Sequence, residues 1–185
     1  HKDGSNFYAY ISPDEISRII LGYAPFGDSI NARIEYSVST LRLILHEMYN
    51  NSSKYNEKYN LTEEEFKKMI FYYWTTIIYT RSKKDNNNLR NTFEQQANSG
   101  RLIDIDGSTF NIVRMTGDED FSQIKESLNA MSAERNKIVA DNLVLATSTI
   151  SHGVDSKDFN NIFFYGVPSN TAEYIQSYSR VGRTY

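Results

Sequence analysis

Two stretches of the chain carry side chains whose types and spacing could do chemistry. The first runs Ala146-Thr147-Ser148-Thr149-Ile150-Ser151-His152-Gly153-Val154-Asp155. Four hydroxyls and a glycine follow an apolar segment, where a strand must end and the backbone must turn. Hydroxyls and free amide groups at such a turn bind phosphate oxygens without adding positive charge. Asp155 can accept from a ribose hydroxyl. The same residues also suit a polar loop whose hydroxyls satisfy its own backbone. The second stretch is Gln176-Ser177-Tyr178-Ser179-Arg180-Val181-Gly182-Arg183. At a helix end, Arg180 and Arg183 could enter one cleft, and two planar guanidinium forks suit the spread charge of a phosphoryl-transfer transition state. A solvated basic helix end, favoured by the helix dipole alone, is the other reading.

Taken together, the two stretches say more. Thr-Ser-x-x-x-x-Gly-x-Asp after a strand precedes Gln-x-x-x-Arg-x-Gly-Arg by about one strand–helix unit. This order and spacing resembles motifs V and VI of superfamily 2 helicases. Upstream, Trp74-Thr75-Thr76-Ile77-Ile78-Tyr79-Thr80-Arg81-Ser82-Lys83-Lys84-Asp85 resembles motif IV, a strand running into a short polar turn. Val113-Arg114-Met115-Thr116-Gly117 sits where such domains place the next strand and turn. The Thr171–Gln176 and Ser179–Arg183 stretches are similar, more narrowly, to bacterial helicases of the DISARM phage-defence type. The general resemblance covers residues 72–185.

The resemblance implies the second RecA-like lobe of an ATP-dependent helicase or translocase, part of an ATP-hydrolysing enzyme. It implies that Arg183 is the arginine finger reaching the γ-phosphate and that Arg180 assists it. Gln176 would couple the nucleotide to the cleft. Gly153 and Asp155 would lie against the nucleotide sugar, completing an ATP-binding set with Gln176, Arg180 and Arg183. Thr147, Ser148 and Thr149 would touch the nucleic-acid backbone, as would Thr80, Arg81 and Ser82. Ser179 departs from the commoner glycine of motif VI, and Gln176 replaces the histidine of the DEAD-box group. These departures argue against a DEAD-box RNA helicase; the polymer, single-stranded or duplex, is expected to be DNA rather than RNA.

No Gly-x-x-x-x-Gly-Lys-Ser/Thr occurs in the sequence. There is therefore no P-loop lysine for the β- and γ-phosphates, nor an Asp-Glu pair at a suitable strand end to hold magnesium. ATP and Mg2+ are expected to be held mainly by an N-terminal RecA-like lobe of the same protein, and this chain is expected to be inactive alone. Gly117-Asp118-Glu119-Asp120 reads as acids opening a helix rather than as a metal box. Arg81–Lys84 fits either a phosphate patch or a solvated helix start. The competing function is a catalytically silent RecA-like scaffold or nucleic-acid clamp, which has no need of both arginines.

The elements that must position these residues read as α/β. Strands are expected at Trp74–Thr80, Asn111–Met115, Leu143–Ala146 and Ile162–Tyr165. Helices are expected at Lys83–Ala97, Phe121–Met131 and Thr171–Tyr178. Alternating strands and helices imply a parallel sheet with helices on both faces, a RecA-like arrangement here, with ligands beyond the carboxyl ends of the strands. Residues 1–70 read as a mixed N-terminal extension or linker subdomain, and 71–185 as the RecA-like domain, truncated at its C-terminus. In the extension, Phe7–Ile11 and Arg18–Ala24 look extended. Ile34–Met48 has the spacing of a one-faced helix. Asn50–Asn60 is polar and reads as a loop. Thr62 with Glu65 forms a capping box opening a helix that runs to about Tyr72.

Composition sets the outer bounds. A chain of 185 residues, 39% hydrophobic and 23% charged, fits one medium globular domain. A net charge of −3 excludes a broad basic face, so any nucleic-acid contact must be local. With no cysteine, disulfides and thiolate chemistry are excluded. His1, His46 and His152 are too scattered to suggest a zinc site. No apolar run is long enough for a membrane span, and a cytoplasmic home is expected. The opening His1-Lys2-Asp3 and the ending Arg183-Thr184-Tyr185 both read as cut points in a longer protein.

Overall fold

The structure is a computed structural model that describes residues 20–22, 29–102, 111–116, 143–148 and 159–182. The expected Phe121–Met131 helix and the Phe7–Ile11 segment lie outside the described residues. Of Arg18–Ala24, residues 20–22 are described and form no strand.

Helix α1 spans Ile30–Asn50, a turn longer at its start than the apolar spacing indicates. Ser29 is responsible: its hydroxyl accepts from the Ala32 amide at 3.2 Å and caps an otherwise unsatisfied donor. The helix buries Ile34, Val38, Arg42 and Leu45. Arg42 is tolerated inside because its guanidinium lies 4.2 Å from the Trp74 ring centroid and donates to the Trp74 carbonyl. Trp74 is thus a core residue, 1% exposed.

The segment Asn50–Asn60 corrects the sequence expectation of a loop. It folds into a short helix α2 (Ser52–Tyr55) and a 3-10 turn (Glu57–Tyr59). Tyr55 and Tyr59 stack on Phe66, with ring centroids 6.2 and 5.6 Å apart, and Ser52 donates to Glu63 at 2.7 Å. Two ring contacts onto the buried Phe66 outweigh the polar composition around them. Helix α3 (Glu63–Tyr72) opens on the expected capping box of Thr62 and Glu65.

Four parallel strands follow: β1 (Thr76–Thr80), β2 (Ile112–Met115), β3 (Leu143–Ala146) and β4 (Asn161–Tyr165), in the order β2-β3-β1-β4. Helix α4 (Lys83–Asn98) follows β1, and α5 (Thr171–Tyr178) follows β4. Side chains alternate across the sheet with period two. Ile78, Leu143 and Leu145 point to one face, where they meet Ile34 and Val38 of α1 and Leu89 and Phe93 of α4. Ile77, Tyr79, Val144, Ala146 and Met115 point to the other, with Phe159 and Val181. Tyr174 of α5 packs on Phe164 of that same face, at 5.3 Å. Helices therefore cover both faces, which is why every residue of β1 is buried and no hydrophobic alternation marks it in the sequence.

Candidate nucleotide and nucleic-acid site

β1 and β4 are neighbours, yet the helices that follow them pack on opposite faces. A crevice opens beyond the carboxyl ends of such a strand pair, the usual ligand position in a parallel sheet. Arg81 and Ser82 follow β1 at this edge, and Gly166 follows β4. Gly166 has φ +75°, which only glycine adopts without strain, and a Cβ built on it would stand 3.5 Å from Arg81 Nε. Arg81 is exposed there. Beneath it, burial first and then the Asp85 carboxylate push the Tyr165 phenol above its ordinary range, while Arg81 works the other way. Tyr165 therefore stays neutral beside the guanidinium.

Ser82 caps α4, accepting from the Asp85 amide at 3.1 Å and donating to Asp85 Oδ2 at 2.6 Å. Thr80 requires a correction. It is fully buried, so it cannot touch a strand directly. Its hydroxyl donates to the Ala146 carbonyl and accepts from Asn86 Nδ2, both at 3.3 Å. Thr80 ties β1 to β3 and α4 from within. Across the edge, Thr147 is buried with its amide donating to the Met115 carbonyl at 3.1 Å, and Ser148 is exposed. Thr149, His152, Gly153 and Asp155 lie outside the described residues.

Helix α5 starts at this edge and leaves it. Asn170 caps it, accepting from the Ala172 amide at 2.9 Å. In its first turn Glu173 accepts a hydrogen bond from the buried Tyr79 hydroxyl, near the carboxyl end of β1. Burial, then the bond to Glu173 and its charge, raise the Tyr79 phenol well above its ordinary range, so it remains a donor. At the other end of the helix, the Gly182 amide donates to the Phe159 carbonyl at 2.8 Å, just ahead of the amino end of β4. Helix α5 therefore runs down the sheet face, antiparallel to the strands. Val181 is buried against that face, and Gly182 turns the chain with φ 65°. Arg180 stands half-buried between the helix end and this anchor, and Gln176 is exposed. Arg183 lies outside the described residues.

The candidate residues thus fall into two groups. Arg81, Ser82, Thr147 and Ser148 gather at the carboxyl edge, and Arg180 sits toward the opposite end of the face that carries α5. Sequence reasoning missed Tyr79, Asn86, Gly166 and Glu173. Gly166, directly behind a strand, was a readable signal. Asn86 was hidden in the run Asn86-Asn87-Asn88, which reads as solvated, although it is fully buried. The Tyr79–Glu173 pair spans 94 residues, beyond the reach of local pattern.

Among the described residues, no group of three His, Cys, Asp or Glu side chains could hold a metal ion. Arginines, hydroxyls and amides suit phosphate oxygens, and the carboxylate among them, Asp85, is engaged by Ser82. Among the described residues, no helix is long and apolar enough to cross a membrane. No curated protein matches the chain. Among solved structures it is similar to the C-terminal part of the Fun30 ATPase domain, at 13% identity and a TM-score of 0.44, covering 76% of this chain and 45% of that one. The chain thus spans less than half the length of that structure, and the likeness is too distant to bear on function. Residues 57–185 match the helicase conserved C-terminal domain, more than half the chain. The chain belongs to the helicase conserved C-terminal domain family.

Proposed function

We propose that this lobe works as the second half of an ATP-driven superfamily 2 motor on nucleic acid. The observation that carries the reading is the separation just described. A motor lobe needs one station for the strand and another for the nucleotide, so that a change at one can be felt at the other. Arg81 and Ser148, the exposed pair at the edge, are assigned to the strand station together with Ser82, Thr147 and Thr149, through local phosphate contacts. That suits a chain of net charge −3, which lacks a broad basic face. Arg183 is the arginine finger, with Arg180 beside it and Gln176, Gly153 and Asp155 completing the nucleotide side. Val181 and Gly182 anchor the chain after Arg180 to the sheet, which supports a preorganised arginine for charge that develops late.

The phosphate-cradling loop and the magnesium ligands belong to a partner lobe in the same protein. ATP is the substrate held between the two lobes, and this chain alone hydrolyses none. The strand is DNA, and the working compartment is the cytoplasm. The narrower likeness to DISARM phage-defence helicases rests on Thr171–Gln176 and Ser179–Arg183 alone.

ATP turnover by the full-length protein, with and without single-stranded DNA or RNA, tests this reading. Turnover stimulated by one of the polymers supports the motor. Polymer binding with no turnover makes the lobe a clamp.

A further inference from the structure

The Arg81 turn and Arg180 sit toward opposite ends of one sheet face, and a part-buried hydrogen bond joins β1 to the helix between them. Tyr79 immediately precedes Thr80, Arg81 and Ser82, the turn that meets the strand. Its ring is 1% exposed and packs on Phe164 at 5.4 Å. Phe164 packs on Tyr174 at 5.3 Å, and Tyr174 on Tyr178 at 5.2 Å. The Tyr79 hydroxyl donates to Glu173 in the first turn of α5. That helix has only eight residues, so holding its first turn aims its last. Gln176 stands about one turn beyond Glu173, and Arg180 about two.

We propose that the Tyr79–Glu173 hydrogen bond couples the strand-contacting turn to α5, so that a bound strand resets Arg180 just past the far end of the helix. The inference rests on the motor reading above and names the device by which the two stations communicate. Tyr79 cannot turn independently of the strand that ends in Thr80, because its ring is enclosed. A shift of the Arg81 turn therefore moves the Tyr79 hydroxyl, and the carboxylate bonded to it follows. Without the bond, α5 keeps its aromatic packing on Phe164 and the Ser177 hydroxyl near the phenol, but loses its charged link to Tyr79. Glu173 is partly exposed, so water replaces the lost donor and the fold survives the break. Coupling between sites needs such a contiguous physical connection, and it is measured as a change at one site when the other is filled.

Two readouts in the full-length protein decide the matter. The first is stimulation of ATP turnover by single-stranded DNA. Tyr79→Phe should keep basal turnover and thermal stability close to wild type while stimulation falls about tenfold, the scale of one charge-assisted hydrogen bond. Glu173→Ala should do the same. Glu173→Gln, whose amide oxygen still accepts from the tyrosine, should restore stimulation. The double variant Tyr79→Phe/Glu173→Ala should be no worse than either single change. The second readout needs no turnover: single-stranded DNA should alter amide hydrogen exchange in residues 174–178 of the wild type and not of Tyr79→Phe. Undiminished stimulation in Tyr79→Phe overturns the proposal. So does an equal fall in basal and stimulated turnover, which would mark the bond as structural only. A wild-type protein that binds DNA without turnover refutes the motor reading, and the exchange comparison then decides the coupling by itself.

Discussion

The Arg81 guanidinium lies over Gly166, the first residue past the neighbouring strand, with Nε 3.5 Å and Cζ 3.7 Å from where a Cβ would stand. Those separations are ordinary contact distances, so a methyl group fits. The backbone decides instead: φ is +75° at Gly166, and a left-handed conformation costs an L-residue roughly 1–2 kcal/mol. Gly166→Ala should therefore lower the melting temperature by several degrees in a chain of this size. An unchanged melting curve would mean that the turn after β4 relaxes freely.

Thr80 and Asn86 form a buried pair whose loss should be strongly non-additive. Thr80→Val keeps the volume but strips Asn86 Nδ2 of its acceptor, in a side chain whose Oδ1 already has no partner. An unsatisfied buried amide costs about 1–3 kcal/mol, and bonds at 3.3 Å place the loss toward the low end. Thr80→Val/Asn86→Leu removes both polar groups and should recover most of that loss. Denaturant unfolding of the two single variants and the double variant measures the coupling. Simple addition of the two losses would refute the pair.

Arg42 should not be replaceable by lysine. Its flat guanidinium stacks on Trp74 while reaching the Trp74 carbonyl, and an ammonium cannot do both. Arg42→Lys should cost about 1–2 kcal/mol, read from chemical denaturation. Equal stability would show that the stack contributes nothing.

Acid should weaken the start of α3. The Thr62 amide, and then its hydroxyl, hold the Glu65 carboxyl below its ordinary range. Lys67, and then Ser52, do the same for Glu63. Each carboxyl binds fewer protons folded than unfolded, so its contribution is present above the ordinary glutamate value and lost as pH falls through the lowered one. The stability difference between wild type and Glu63→Gln/Glu65→Gln should be largest near neutral pH and shrink as pH falls below the ordinary glutamate range. A difference independent of pH would remove the ionised cap from the account.

Much of this architecture was legible because its signals are local. Leu143–Ala146 and Thr171–Tyr178 have the bounds their patterns indicate, and the Thr62–Glu65 box forms as spelled. Strand β1 starts at Thr76 and not Trp74, since Trp74 and Thr75 belong to the buried turn that receives Arg42 and Asn161. The strand order was not legible, because period-two burial on both faces carries no record of which strand lies beside which. In the site, Arg81 and Ser148 stand exposed at the edge where strand ends were expected to matter. Thr80 turned inward because its place in the alternation points it at Asn86. The distance between the edge and Arg180 depends on the direction of α5, which no local motif encodes.

The most direct test of the motor is Arg183→Ala in the full-length protein, compared with wild type for ATP turnover in saturating single-stranded DNA. Loss of a transition-state arginine should lower turnover on the order of 10³-fold, with DNA binding intact. Wild-type turnover in the variant would contradict the account.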